Sequence, residues 1–91
     1  KTMRAVLTVV GRDKTGIIAK VSAFLEKRNI NILDISQTIL SDYFAMIMLV
    51  DISAATVKLA TLADECDGLG KSIGMSIHVQ HEEIFNAMHG V

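Results

Sequence analysis

The sequence has no proline and no tryptophan, only three phenylalanines and one tyrosine, and a single cysteine, Cys66. One cysteine excludes an intramolecular disulfide framework and fits a reducing, cytoplasmic location. Charge of one sign is also missing. The formal net charge is −1 and no block of like charge occurs, so the chain carries no electrostatic footprint for nucleic acid or an anionic membrane. The longest uninterrupted apolar run, Phe44 to Val50, is seven residues, far below the roughly 20 that span a bilayer. A basic segment followed by a long apolar one is absent, so no signal peptide is expected. With no proline-rich or low-complexity linker and no shift of composition, the 91 residues read as one domain, a core over 3–81 and a tail over 82–91.

What is present is apolar: 51% of the residues, a share that excludes disorder. Met3 to Val10 reads as a strand. Gly16 to Arg28 reads as a helix, with Ile17, Ile18, Val21, Phe24, Leu25 and Arg28 at helical spacing. Asn31 to Leu40 and Tyr43 to Asp51 read as two strands joined by a Ser41-Asp42 turn. Ala54 to Leu69 carries Leu59, Leu62, Ala63, Cys66 and Leu69 on one face and reads as a second helix, with Gly68 and Gly70 as its stop. Ile73 to Gln80 alternates as a fourth strand, and Glu82 to Met88 suits one or two helical turns. The order βαββαβ predicts an α+β, ferredoxin-like fold.

Strand polarity predicts the sheet order. The first and third strands are apolar on both faces and belong in the middle. The second and fourth interleave polar residues and belong at the edges. Order 4-1-3-2 follows for the antiparallel sheet, with both long helices on one face. An uncovered opposite face would bare several hundred Å² of apolar surface, which soluble monomers seldom tolerate. A homodimer is expected, with the tail around Phe85 adding cover.

Chemistry concentrates in Val9 to Ile18, where an apolar strand meets a polar loop that opens into a helix. Such a junction gathers unpaired N–H groups and the positive end of the helix dipole. Arg12 and Lys14 can neutralise a carboxylate or phosphate, Gly16 and Ile17 can donate backbone N–H groups, and Asp13 can accept a ligand ammonium. The competing reading makes Asp13 or Thr15 an N-cap and Arg12 and Lys14 solvated charges. Farther on, Asn29 suits a left-handed helix end, whereas Asn31 is not needed for that cap and offers both a donor and an acceptor.

Other constellations are weak. His78 and His81 point to opposite faces of an extended segment, His89 lies in the tail, and no zinc spacing appears, so no metal and no cofactor is expected. Cys66 sits on an apolar stripe as a small hydrophobe. No nucleophile with a neighbouring base is visible, and Glu82-Glu83 reads as a solvated pair, so the chain is read as non-catalytic. Base-stacking aromatics on the central strands are limited to Tyr43 and Phe44 at one end.

The run Asp13-Lys14-Thr15-Gly16-Ile17-Ile18, followed by Asn29-Ile30-Asn31-Ile32 and the strand Asn31 to Gln37, resembles the ACT domain over about Met3 to His81. It is similar to the version in glycine-cleavage regulators and at the front of formyltetrahydrofolate deformylases. The ending Ile84-Phe85-Asn86-Ala87-Met88 resembles small stand-alone ACT proteins of bacteria and archaea. The resemblance implies a regulatory module that binds an amino acid or related metabolite at a subunit interface. Arg12, Asp13, Gly16 and Ile17, with Lys14 and Thr15 in the same loop, would line one side of that site, and Asn31 with Ile32 of the neighbour the other. Thr15 stands where many amino-acid-sensing members have proline. Two further functions fit the sequence: a ligand-independent protein interaction module, and a small enzyme acting on a phosphorylated or acylated metabolite.

Overall fold

The computed structural model describes residues 3–12 and 15–88. Four strands and three helices follow in the order β1 (Arg4–Gly11), α1 (Ile17–Lys27), β2 (Asn31–Leu40), β3 (Tyr43–Asp51), α2 (Leu59–Ile73), β4 (Ser76–His81) and α3 (Glu82–Met88). The sheet is antiparallel throughout in the order β2-β3-β1-β4, so the doubly apolar strands are central as expected. One face of the sheet is the core. Ala5, Leu7 and Val9 of β1 and Phe44, Met46, Met48 and Val50 of β3 are buried there against Ile17, Val21 and Leu25 of α1 and Leu62 and Cys66 of α2.

The second helix departs from its expected bounds at both ends. Residues 52–58 form a loop held by distant backbone bonds: Ile52 N–H donates to Met3 O at 2.9 Å and Thr56 N–H to Arg28 O at 3.0 Å. At the other end, α2 runs through Gly68 and Gly70 and stops at Gly74, whose φ of 71° gives the left-handed cap. Neither earlier glycine ends the helix. At Gly70 the missing side chain serves packing instead, because a Cβ there would lie 2.5 Å from the Met75 carbonyl oxygen. Arg28 ties the two helices together. Its guanidinium stacks 3.7 Å over the Phe24 ring while Nε donates to Glu65 Oε1 at 2.8 Å.

On the opposite face, α3 lies over β1 and β4. Arg4 reaches Glu82 with two bonds, Nε to Oε1 at 3.0 Å and Nη2 to Oε2 at 2.8 Å. Beneath this helix Val6 is only 5% exposed, whereas Val10 and Ile47 beyond it reach 38% and 42%. The tail therefore covers part of the face and leaves an apolar strip uncovered. More apolar surface stands at the far end of the β2–β3 hairpin, where Ile39, Leu40 and Tyr43 are exposed.

Candidate functional site

The chain leaves β1 at Gly11, opposite Phe44 in the ladder, so the loop that follows rises beside the β2–β3 turn. Arg12 is held there. Its Cζ sits 5.4 Å from the centroid of the Tyr43 ring, and Nη2 donates to Tyr43 Oη at 3.4 Å. Cation–π contact and hydrogen bond together restrict a side chain that would otherwise sample many rotamers. Asp13 and Lys14 lie outside the described residues. Thr15 and Gly16 carry the chain into α1, whose N-cap is Gly16 itself at φ 72°, with no side-chain capping bond. The cap position is thus Gly16 rather than Thr15, and among the described residues no side-chain capping bond is made there. Ile17 is buried in the core, so it offers the site its backbone.

Around this junction lies an open cleft of about 560 Å³, lined by Arg12, Thr15, Ile39, Ser41, Asp42, Tyr43 and Phe44. The hairpin half of that lining is not among the residues expected from sequence. Ser41-Asp42 reads locally as a turn and no more, and only the β1–β3 register brings Tyr43 beside Arg12. The two-residue turn holds Ser41 at φ 56°, a left-handed conformation that a non-glycine residue seldom adopts.

Asn31 and Ile32 are not part of this cleft. Asn31 pairs with Asp51 at the other end of β3, seven residues from Phe44, a separation of about 24 Å by strand rise. A second cleft of about 460 Å³ opens there between α1 and the outer edge of β2, lined by Ala19, Ser22, Ala23, Glu26, Ile30, Asn31 and Ile32. Asn29 takes the structural role expected of it, with φ 59° and Nδ2 donating to Ala54 O at 3.0 Å. Asp51, facing Asn31, is held below the ordinary carboxylate range by the Ser53 hydroxyl and then the Ser53 N–H, with a smaller contribution from Arg4. Among the described residues no group of three or more His, Cys, Asp or Glu side chains is placed to hold a metal ion. No described helix is long and apolar enough to cross a membrane.

Two clefts at opposite ends of one sheet, an uncapped helix start and βαββαβ topology define a recognisable architecture. The sequence model of the ACT domain matches residues 4–80. The chain belongs to the ACT domain family. A UPF0237 protein of Clostridium acetobutylicum is 53% identical over 89 residues, covering 98% of this ACT chain and 100% of the relative. In three dimensions an ACT domain protein from Streptococcus pneumoniae aligns with a TM-score of 0.83 and 39% identity, over 93% of this chain and 96% of that one. A formyltetrahydrofolate deformylase from Pseudomonas syringae pv. tomato shares the fold at a TM-score of 0.79 and 22% identity, over 89% of this chain and 28% of that one.

Proposed function

We propose that this ACT domain is a cytoplasmic regulatory module that binds a small amino-acid-like ligand at a homodimer interface and reports its presence to another protein. The observation that carries the reading is the complementary placement of its two clefts. Arg12 and the uncapped start of α1 stand at one end of the sheet, and Asn31 stands at the other, on an edge strand. A ten-residue edge strand with an exposed outer side is a template for pairing with another chain. Two copies joined antiparallel through β2 set the Arg12 cleft of one protomer against the Asn31 cleft of its partner, twice, about a two-fold axis. Arg12 then takes the ligand carboxylate, the Gly16 and Ile17 N–H groups add donors, and Asn31 of the neighbour closes the site beside Ile32.

Screening by thermal shift against the twenty amino acids, with folates and nucleotides as controls, tests the reading. A ligand at 100 times its dissociation constant adds about 2.7 kcal/mol of stability. An empty screen rejects the sensor. The second reading, a ligand-independent interaction module, has its own support in the exposed Ile39, Leu40 and Tyr43 at the hairpin tip, which suit docking onto an apolar protein surface.

A further inference from the structure

The cleft at the hairpin contains two opposite charges that do not meet. Arg12 is directed by Tyr43 and forms no ion pair among the described residues. Asp42 lines the same cleft with an exposed carboxylate and likewise has no cationic partner among them. A charge pair left open across a cleft of this size, within the roughly 300–1,000 Å³ of small-molecule sites, matches a ligand that carries both signs itself. The remaining wall is apolar. Ile39, 60% exposed, stands beside Phe44 across the β2–β3 ladder. Ser41, next to Asp42 in the turn, holds a left-handed backbone that glycine would adopt at lower cost.

We propose that the β2–β3 turn is the specificity element of this site: Asp42 accepts the ammonium of a zwitterion whose carboxylate Arg12 binds, while Ile39 carries its apolar side chain. The inference rests on the ligand-binding reading above and narrows it to free α-amino acids with aliphatic side chains. Asp42 also acts by exclusion. A phosphate or a dicarboxylate brings a second negative charge against it, which disfavours such anions even though Arg12 attracts them. Tyr43 is a positioning residue that aims the guanidinium.

The test uses the twenty amino acids, with leucine, valine, isoleucine and methionine as the expected ligands, and two truncated forms of leucine: 4-methylpentanoate, which lacks the ammonium, and 3-methylbutylamine, which lacks the carboxylate. Each is titrated calorimetrically into the wild-type protein, Asp42→Asn, Arg12→Gln and Tyr43→Phe. The three side chains are exposed, and circular dichroism establishes that each variant is folded. Wild type should prefer leucine over 4-methylpentanoate by about 10-fold or more, as expected for a hydrogen bond to a charged group. Asp42→Asn should remove that preference without weakening 4-methylpentanoate. Arg12→Gln should remove the preference for leucine over 3-methylbutylamine. Tyr43→Phe keeps the ring under the guanidinium and should lose less than Arg12→Gln. Leucine binding that Asp42→Asn leaves unchanged overturns the inference alone, as does binding confined to polar amino acids. Failure of every amino acid to bind wild type rejects the ligand-binding reading itself.

Discussion

Cys66 illustrates what burial alone does to a reactive group. The side chain is fully enclosed between α2 and the sheet, and burial pushes its thiol from an ordinary 9.0 up to about 11, with Glu65 acting in the same direction and Arg28 against it. Because the folded value is raised, the stabilisation is fully present below about 9 and is lost as pH rises through about 11. Urea midpoints should therefore fall between pH 9 and 11, and less steeply in Cys66→Ala. At pH 8 a thiol reagent should modify the protein only as fast as it unfolds. Asn31 is the opposite kind of residue, exposed and without an evident task in the fold. Asn31→Ala should shift stability by less than about 0.5 kcal/mol yet weaken amino-acid binding about 5- to 150-fold. Gly16→Ala cannot separate the two effects so cleanly. Its left-handed backbone makes any side chain cost about 1 kcal/mol of folding before a ligand is added.

At the scale of elements, α2 offers a paired test within one helix. A Cβ at Gly68 meets nothing within 4 Å, so Gly68→Ala should stabilise the protein by about 0.5–1 kcal/mol through helix propensity. A Cβ at Gly70 would press on the Met75 carbonyl at 2.5 Å and the Ile77 nitrogen at 3.3 Å, both backbone atoms. Gly70→Ala should therefore destabilise by about 2 kcal/mol, read as a lowered melting temperature or denaturant midpoint. The same helix shows where local pattern stops being informative. β2 and β3 have their predicted ends because a two-residue polar turn and clear alternation are local signals. β1 differs by one residue at each end, Arg4–Gly11 against Met3–Val10. The start of α2 is decided by bonds from residues 52–56 to Met3 and Arg28, which no local pattern contains. Its end is decided by Gly74, since two glycines with identical local propensity are retained inside the helix. β4 accordingly starts at Ser76 rather than Ile73, which stays helical.

For the whole molecule, the candidate site was half legible. The Arg12–Gly16 junction is visible because strand, loop and helix are contiguous in sequence. The contribution of Ser41, Asp42 and Tyr43 depends on the pairing of β1 with β3, a long-range register that composition does not carry. The helix α3, which contains Phe85, partly covers the second face of the sheet, as the sequence leads one to expect, and the outer side of β2 adds a long unpaired edge. Light scattering at micromolar concentration should give twice the 9.9 kDa of one chain, with an interface on the order of 2,000 Å². A stable monomer would leave Arg12 and Asn31 at opposite ends of the sheet and remove the shared site. The most direct test of that shared site mixes two crippled proteins. Arg12→Ala and Asn31→Ala dimers, each weakened in binding, are combined in equal amounts, allowed to exchange subunits, and titrated calorimetrically with the amino acid that shifts the wild-type melting temperature most. Mixed dimers contain one site with both residues intact, so binding should return at about a quarter of the sites with wild-type affinity. Exchanged dimers that bind nothing, or binding that neither substitution impairs, would contradict a ligand site built from both protomers.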